Sequence, residues 1–520
     1  MQIYLQYMHP FVIYGFPFLF FALFLLKWLS ITPPKNMPPS PPKLPFLGNL
    51  HQLGLYPHRT LCSLAQRHGP LMLLHFGSRP ALIASSADTA REIMKTHDVI
   101  FSNRPKLSIS DRLLYEGKDV STAPYGEYWR QMRSICVLQL LSNKRVQSFR
   151  AVREEEVALF MEKIRDQSCS LSLPVNLGEM FVSLTNDIIC RVAFGRKYST
   201  GEDGKKFGQL LGELMKLLGA FNVGDFIPWL TWVNGINGID ARVEKVYKEF
   251  DQFLDGIVEQ HKRENRINGN HGSTLLLGED KKDLVDVLLE IQNDNAAGVA
   301  MDETSIKALI LDMFAAGTDT TYTVLEWAMS ELLRHPRVMK KLQDEVRGIS
   351  QAKTSITENH LENMHYLKAV IKETFRLYPP IPLLVPREST QDVEIKGYHI
   401  PAGTLTFINA WAIGRDPALW EEPEEFRPER FLTSSVDFRG HDFQLIPFGA
   451  GRRGCPGITF AMATNELVLA NLVHEFDWAL PGGACLEDLN MTQCTGLTIH
   501  RKVPLLAVAS TPIYIYKSGK

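Results

Sequence analysis

Eleven residues near the C-terminus constrain this chain more than any other segment: Pro447-Phe448-Gly449-Ala450-Gly451-Arg452-Arg453-Gly454-Cys455-Pro456-Gly457. Four glycines and two prolines in that space cannot form a regular helix or strand, so the run must be a tight loop. In such a loop the backbone can approach a flat ligand closely. A lone cysteine stands near its end, followed by a helix-like run, Ile458–His474. A thiol before a helix N-terminus and beside two arginines is expected to have a lowered pKa and be held as thiolate. A thiolate suits a soft metal. Without a His or Cys neighbour it cannot complete a zinc site. It can complete a haem, where the porphyrin supplies four ligands and the protein an axial one. The plain alternative is a buried structural thiol in a glycine-rich turn.

The rest of the composition narrows the class. The 520 residues are 45% hydrophobic and 22% charged, with a formal net charge of -2. That is an ordinary globular balance, and it excludes disorder as the main theme. It offers no basic excess for a nucleic-acid partner. Cys62, Cys136, Cys169, Cys190, Cys455, Cys485 and Cys494 are scattered, odd in number and without a C-x-x-C pair. They read as reduced thiols in a body that faces the cytosol.

Phe11 to Leu26 reads FVIYGFPFLFFALFLL, with Trp28 and Leu29 after Lys27. This approaches the ~20 apolar residues of a bilayer-spanning helix. No Lys or Arg precedes it and no A-x-A pattern follows, so a retained anchor over 1–30 is favoured over a cleaved signal. Lys27, Lys35 and Lys43 put the following chain on the cytosolic side. Residues 31–49 are rich in proline and read as an extended, semi-rigid hinge, either a passive spacer or a device that sets how the body rests on the membrane.

Residues 50–520 read as one body, mainly α with a minor β-sheet region and no internal repeat. Leu71–Phe76 and Ala81–Ser85 form a hairpin pattern. Arg153–Arg165 and Val243–Asn265 are long amphipathic helix patterns. Ile267–Asp283 has loop composition. Leu309–Leu333 predicts one long apolar helix ended by His335-Pro336, and Leu361–Leu377 another, stopped by Pro379-Pro380. Strand-like pieces return at Val393–Ile400 and Leu405–Asn409.

Phe448, Gly451, Arg453, Cys455 and Gly457 match FxxGxRxCxG, the haem-binding signature of the cytochrome P450 family. The chain resembles that family over essentially its whole length. It looks like the plant microsomal A-type, similar to the 71 clan. Glu373-Thr374-Phe375-Arg376 resembles the ExxR element, with Arg430 as its third member; on a helix, i and i+3 share a face. The resemblance implies a buried structural network. Ala316-Gly317-Thr318-Asp319-Thr320-Thr321 falls within the long helix. Its plain reading is a Thr-rich turn bonding its own carbonyls. The family reading is a distorted turn in which Asp319 and Thr320 pass protons to dioxygen. Trp129 and Arg133 stand one turn apart and match WxxxR. With Arg387 and Arg453 they look like partners of the haem propionates, where a guanidinium fork matches a carboxylate.

The resemblance implies haem b (heme b, iron protoporphyrin IX) on an axial Cys455 thiolate, and an O2-dependent monooxygenase. Electrons would come from NADPH through NADPH-cytochrome P450 reductase, with cytochrome b5 as an optional second donor. The implied location is the endoplasmic reticulum membrane, crossed once, with the catalytic domain cytosolic. Substrate-lining segments are expected at Ser108–Val120, Phe221–Trp232, Leu309–Thr318, Ile381–Val385 and Thr495–Thr498, several rich in large apolar residues that suit a small apolar substrate. Terpenoids, coumarins, phenylpropanoids and indole derivatives all fit. Two rivals stand beside this reading: a haem-thiolate isomerase or dehydratase that uses no O2, and a non-catalytic haem-bearing membrane scaffold.

Overall fold

The computed structural model describes residues 36–169, 173–198, 201–270, 282–294, 301–350, 355–483 and 486–512. The apolar run Phe11–Leu26 lies outside them. Among the described residues no helix is long and apolar enough to cross a membrane. The second half of the proline-rich segment lies along the body. Leu73 N donates to Pro39 O (3.0 Å), His399 N to Asn36 O (2.8 Å) and Asn49 Nδ2 to Pro41 O (3.2 Å).

A four-stranded sheet flanks the helices. β1 (Leu71–Phe76) and β2 (Arg79–Ala84) pair antiparallel as the expected hairpin. β3 (Arg387–Glu388) and β4 (Leu405–Ile408) complete the order β1-β2-β4-β3, with β4 parallel to β2. The single strand expected over Val393–Ile400 is instead a separate hairpin, Val393–Ile395 against Tyr398–Ile400. Lys396 and Gly397, at φ 50° and 80°, make its turn. Two successive left-handed residues are what a type I′ hairpin turn requires.

Five helices position the site: α1 (Glu127–Ile135), α2 (Leu177–Phe194), α3 (Glu303–Arg334), α4 (His365–Leu377) and α5 (Ile458–Glu475). α3 starts where Asp302 accepts from Ser305 N (2.8 Å), an N-cap bond that satisfies an orphan helix donor. It stops at His335, before Pro336. Its sequence is apolar on nearly every side, and it is buried accordingly in the main core. Trp327 is its largest buried anchor. The indole stacks on Tyr378 at 4.2 Å and donates Nε1–H to Ile499 O (2.8 Å).

Three helices differ from the sequence pattern at an end. α3, expected from Leu309, already begins at Glu303 behind its Asp302 cap. The helix expected over Leu361–Leu377 begins only at His365. The Glu345 carboxylate accepts from Tyr366 N (2.8 Å) and Leu367 N (2.9 Å), which makes a new N-terminus there. Glu358–Leu361 is a separate turn, capped by Thr357 and His360. The helix expected over Val243–Asn265 runs from Ile239 to Asn270 and takes up the start of the expected loop; residues 271–281 lie outside the described residues.

Truncating the central indole removes both its packing and a satisfied hydrogen bond. Trp327→Ala is expected to lose about 3–5 kcal/mol. Urea unfolding followed by circular dichroism checks this, and an unchanged midpoint would refute it.

Candidate active site

The loop before α5 is closed by two backbone hydrogen bonds, Cys455 N to Phe448 O (2.9 Å) and Gly454 N to Gly451 O (2.9 Å). Gly451 has φ +70°, and a Cβ there would stand 2.3 Å from Met94 O. Only glycine lets the loop lie this close to the segment beneath it. The loop therefore presents Cys455 to the interior at a fixed height. Gly457 N donates to its Sγ at 3.3 Å.

The electrostatics of that sulfur differ from the sequence expectation. Arg452 pairs with Asp98 (3.2 Å), and Arg453 donates to the carbonyls of Ser102 (2.7 Å), Val120 (3.2 Å) and Ala123 (2.5 Å). Neither arginine serves the thiol. In the chain alone, burial pushes the Cys455 thiol up, and Gly457 N–H and the Arg133 guanidinium pull it partly back. A positive metal centre is what would hold it as thiolate.

Cys455 opens on a cavity of about 270 Å³, where one water needs only about 15 Å³. Val120, Met313, Ala316, Ile381, Leu384 and Phe448 give it apolar walls. The family-type residues Trp129, Arg133, Thr320, Arg387, Arg453 and Gly457 line it as well. Gly451 lies behind the lining. Of the segments expected to line it, Ser108–Val120 contributes Val120 alone, while Phe221–Trp232 and Thr495–Thr498 lie outside its wall. Phe226 packs instead on Phe76 of β1, and Ser78 N bonds its carbonyl (2.9 Å).

One edge of the cavity is cationic. Arg453 stacks on the Trp129 indole at 4.2 Å, and Trp129 Nε1 donates to Val120 O (3.0 Å). Arg387 donates to Ala450 O (2.8 Å) and faces Asp98 at 3.6 Å. Burial lowers Arg453 to about 9 and Arg387 to about 10. Burial lowers Arg133 too. Arg104, which sequence reasoning missed, joins them. It donates to the carbonyls of Ser121 (2.9 Å), Val385 (2.6 Å) and Pro386 (2.7 Å). Ser-Asn-Arg-Pro carries no signal that would single it out. Desolvated guanidiniums at a cavity edge call for an anion. The donor set fits a haem: one thiol opens on the cavity, and arginines that could pair with propionates gather along one edge.

α3 is α-helical throughout, without the distortion expected at Ala316–Thr321. Thr320 and Thr323 donate to carbonyls four residues back (both 2.7 Å), which leaves the helix ladder in place. Thr320 faces the cavity. Asp319 does not. Its carboxylate accepts from the Thr498 hydroxyl behind the helix, and burial raises its pKa to about 6.

Beneath the loop, Glu373 and Arg376 of α4 meet in a two-point pair (2.7 and 2.8 Å) with both side chains 0% exposed. Arg430 Nε (3.0 Å) and Arg427 N (2.8 Å) also reach Glu373. Arg376 donates further to the carbonyls of Gly414, Pro423 and Glu425. Between these two residues Phe375 packs edge-on against Phe448 at 5.0 Å, so the network and the cysteine loop touch.

A family model described as Cytochrome P450 matches residues 38–507. The chain belongs to the cytochrome P450 family. Cytochrome P450 736A117 of Prunus mume is 60% identical over 497 residues, covering 94% of each chain. Cytochrome P450 71A26 of Arabidopsis thaliana is 55% identical over 477 residues, 92% of this chain and 94% of its own. Among solved structures, a zebra fish cytochrome P450 with progesterone superposes with a TM-score of 0.74 at 26% identity, covering 88% of this chain and all of its own. The enzyme is thus a plant P450 monooxygenase resembling the 71 clan, and its cofactor is haem b on the Cys455 thiolate.

Removing Glu373 would strand two buried guanidiniums. Glu373→Ala is expected to cost about 3–5 kcal/mol and to lower haem loading. Denaturation and the pyridine haemochrome yield read the two effects separately. Full loading at native stability would show that the network does not brace the loop.

Proposed function

We propose that this P450 oxidises a small, largely apolar plant specialised metabolite of the terpenoid, coumarin, phenylpropanoid or indole type. The observation that carries this reading is an apolar-walled cavity onto which Cys455 and Thr320 both open. Residues 50–520 form the catalytic domain, with 36–49 of the proline-rich segment packed along it, and an anchor over 1–30 tethers it at the endoplasmic reticulum membrane. NADPH-cytochrome P450 reductase supplies electrons, and cytochrome b5 can serve as a second donor.

Bound haem supplies the oxygen activation, as cofactors carry the hard chemistry. The chain does the rest. Arg133, Arg387 and Arg453, with Trp129, orient the propionates at the cationic edge. Val120, Ile381 and Leu384 exclude water and hold an apolar substrate against the reacting face. Thr320 now donates to Ala316 O; rotation about χ1 turns its hydroxyl into the cavity, where it can hand on a proton. Asp319, with a pKa near 6, lies beside it in sequence. It can supply that proton if its carboxyl swings from Thr498. An isomerase or dehydratase would have no use for a proton-delivering alcohol.

Two measurements test this. Membranes holding the enzyme and a plant reductase, showing the thiolate carbonyl band with CO, are incubated with pooled plant metabolites with and without NADPH. A product heavier by one oxygen, or lighter by two hydrogens, is expected only with NADPH. Conversion without NADPH would favour the isomerase reading. In Thr320→Ala, product formed per NADPH consumed is expected to fall at least ~tenfold, and unchanged coupling would remove Thr320 from the proton path.

A further inference from the structure

The cysteine loop rests on a short segment far from it in sequence. A helix over Ala87–Arg91 widens there into a π turn, Glu92–Thr96, closed by His97 N bonding Glu92 O (2.8 Å). Such turns carry one extra residue and recur at functional sites. This one brings Met94 O and Asp98 against Gly451. A Cβ on Gly451 would stand 2.3 Å from Met94 O and 2.5 Å from Asp98 Oδ1. The same glycine that lets the loop approach therefore lets Asp98 reach it.

Asp98 holds the loop at its backbone. Both carboxylate oxygens accept from Arg452 N (3.3 Å each), and Oδ2 pairs with Arg452 Nε (3.2 Å). Arg452 stands three residues before Cys455. Among the described residues, this is the one bond that runs from an amide of the loop to a distant part of the chain. The bonds from Cys455 N to Phe448 O and from Gly454 N to Gly451 O fix the loop's shape, but not its place. Oδ1 of Asp98 also faces Arg387 Nη1 at 3.6 Å. No other carboxylate among the described residues pairs with Arg387 or Arg452. Asp98 is itself held: its side chain is only 14% exposed, and Ser102 Oγ donates to its carbonyl (2.6 Å). Ser102 O in turn accepts from Arg453 Nε (2.7 Å).

We propose that Asp98 is a positioning residue of the haem site. Through the Arg452 amide its carboxylate sets where the loop carries Cys455, and through Arg387 it ties that setting to the cationic edge. This rests on reading Cys455 as the haem ligand. Asp98 touches neither the cavity nor the thiol, so it acts by placement. A hydrogen bond to a carboxylate is stronger than one to a neutral oxygen, yet an amide oxygen can still accept from the Arg452 N–H. A methyl group cannot.

Two readouts on the full-length holoenzyme test this. Resonance Raman spectroscopy gives the iron–sulfur stretching frequency, which follows the placement of the thiolate. The CO complex in dilute urea gives the rate at which the thiolate carbonyl band yields to that of the protonated thiol. Asp98→Ala is expected to lower the frequency and to speed loss of the band about tenfold, the worth of one net hydrogen bond. Asp98→Asn should keep the native frequency and most of the band's lifetime. Arg452→Ala loses the guanidinium but keeps the amide, so it should also keep the native frequency. A role in overall stability alone would not move the frequency of the folded enzyme. If Asp98→Ala loads no haem, the other two variants carry the test, and a shifted frequency in either overturns the proposal. So does a native frequency in a haem-loaded Ala variant. Equal changes in the Ala and Asn variants overturn it as well, because charge and not placement would then be the cause. Absence of the thiolate band in the native enzyme would instead bring down the reading of Cys455, and this proposal with it.

Discussion

Glu373 carries a charge in a place where water does not reach, and the lower half of the site is arranged around that fact. A lone carboxylate there would cost several kcal/mol. Arg376, Arg430 and the Arg427 amide surround it, and Arg376 uses its remaining donors on Gly414, Pro423 and Glu425. The stretch 414–430, more than thirty residues further along the chain, is thereby tied to α4. The same helix turns Phe375 against Phe448, which fixes the loop that holds Cys455. The ion cluster gains little net stability over an apolar packing of equal volume. What it provides is position.

The cavity above shows the opposite arrangement. There the chain gathers positive charge at one edge and leaves it only partly answered. Arg387 has Asp98 nearby, and Arg453 has the Trp129 ring and three carbonyls. Carbonyls satisfy donors but not charge. A dianionic cofactor would meet the shortfall, and assembly of the active site and neutralisation of this edge would then be one event.

Much of this was legible in the sequence. The β1–β2 hairpin, the closed glycine loop and the i,i+3 pair of Glu373 and Arg376 depend on neighbours in the chain, and periodicity and turn chemistry report such neighbours directly. The misses share a cause. Arg104 acquires meaning only from Val385 and Pro386, nearly three hundred residues later. Cys455 takes its nearest cation from Arg133 on α1, because the adjacent Arg452 and Arg453 are drawn to Asp98 and to backbone carbonyls. Asp319 and Thr320 are consecutive, yet a helix turns about 100° per residue; that carries Asp319 to Thr498 behind the helix while Thr320 and Thr321 line the cavity.

The segment from Asn36 to Asn49 has a practical meaning. Pro39 O and Asn36 O accept from Leu73 and His399, and Asn49 exchanges hydrogen bonds with His75 on β1. This stretch behaves as an outer seam of the sheet despite its prolines. A truncated, detergent-free version of the enzyme for crystallisation has to begin at or before Asn36, since a cut at residue 50 would strip the amide and carbonyl partners from the sheet edge and expose it to pairing between molecules.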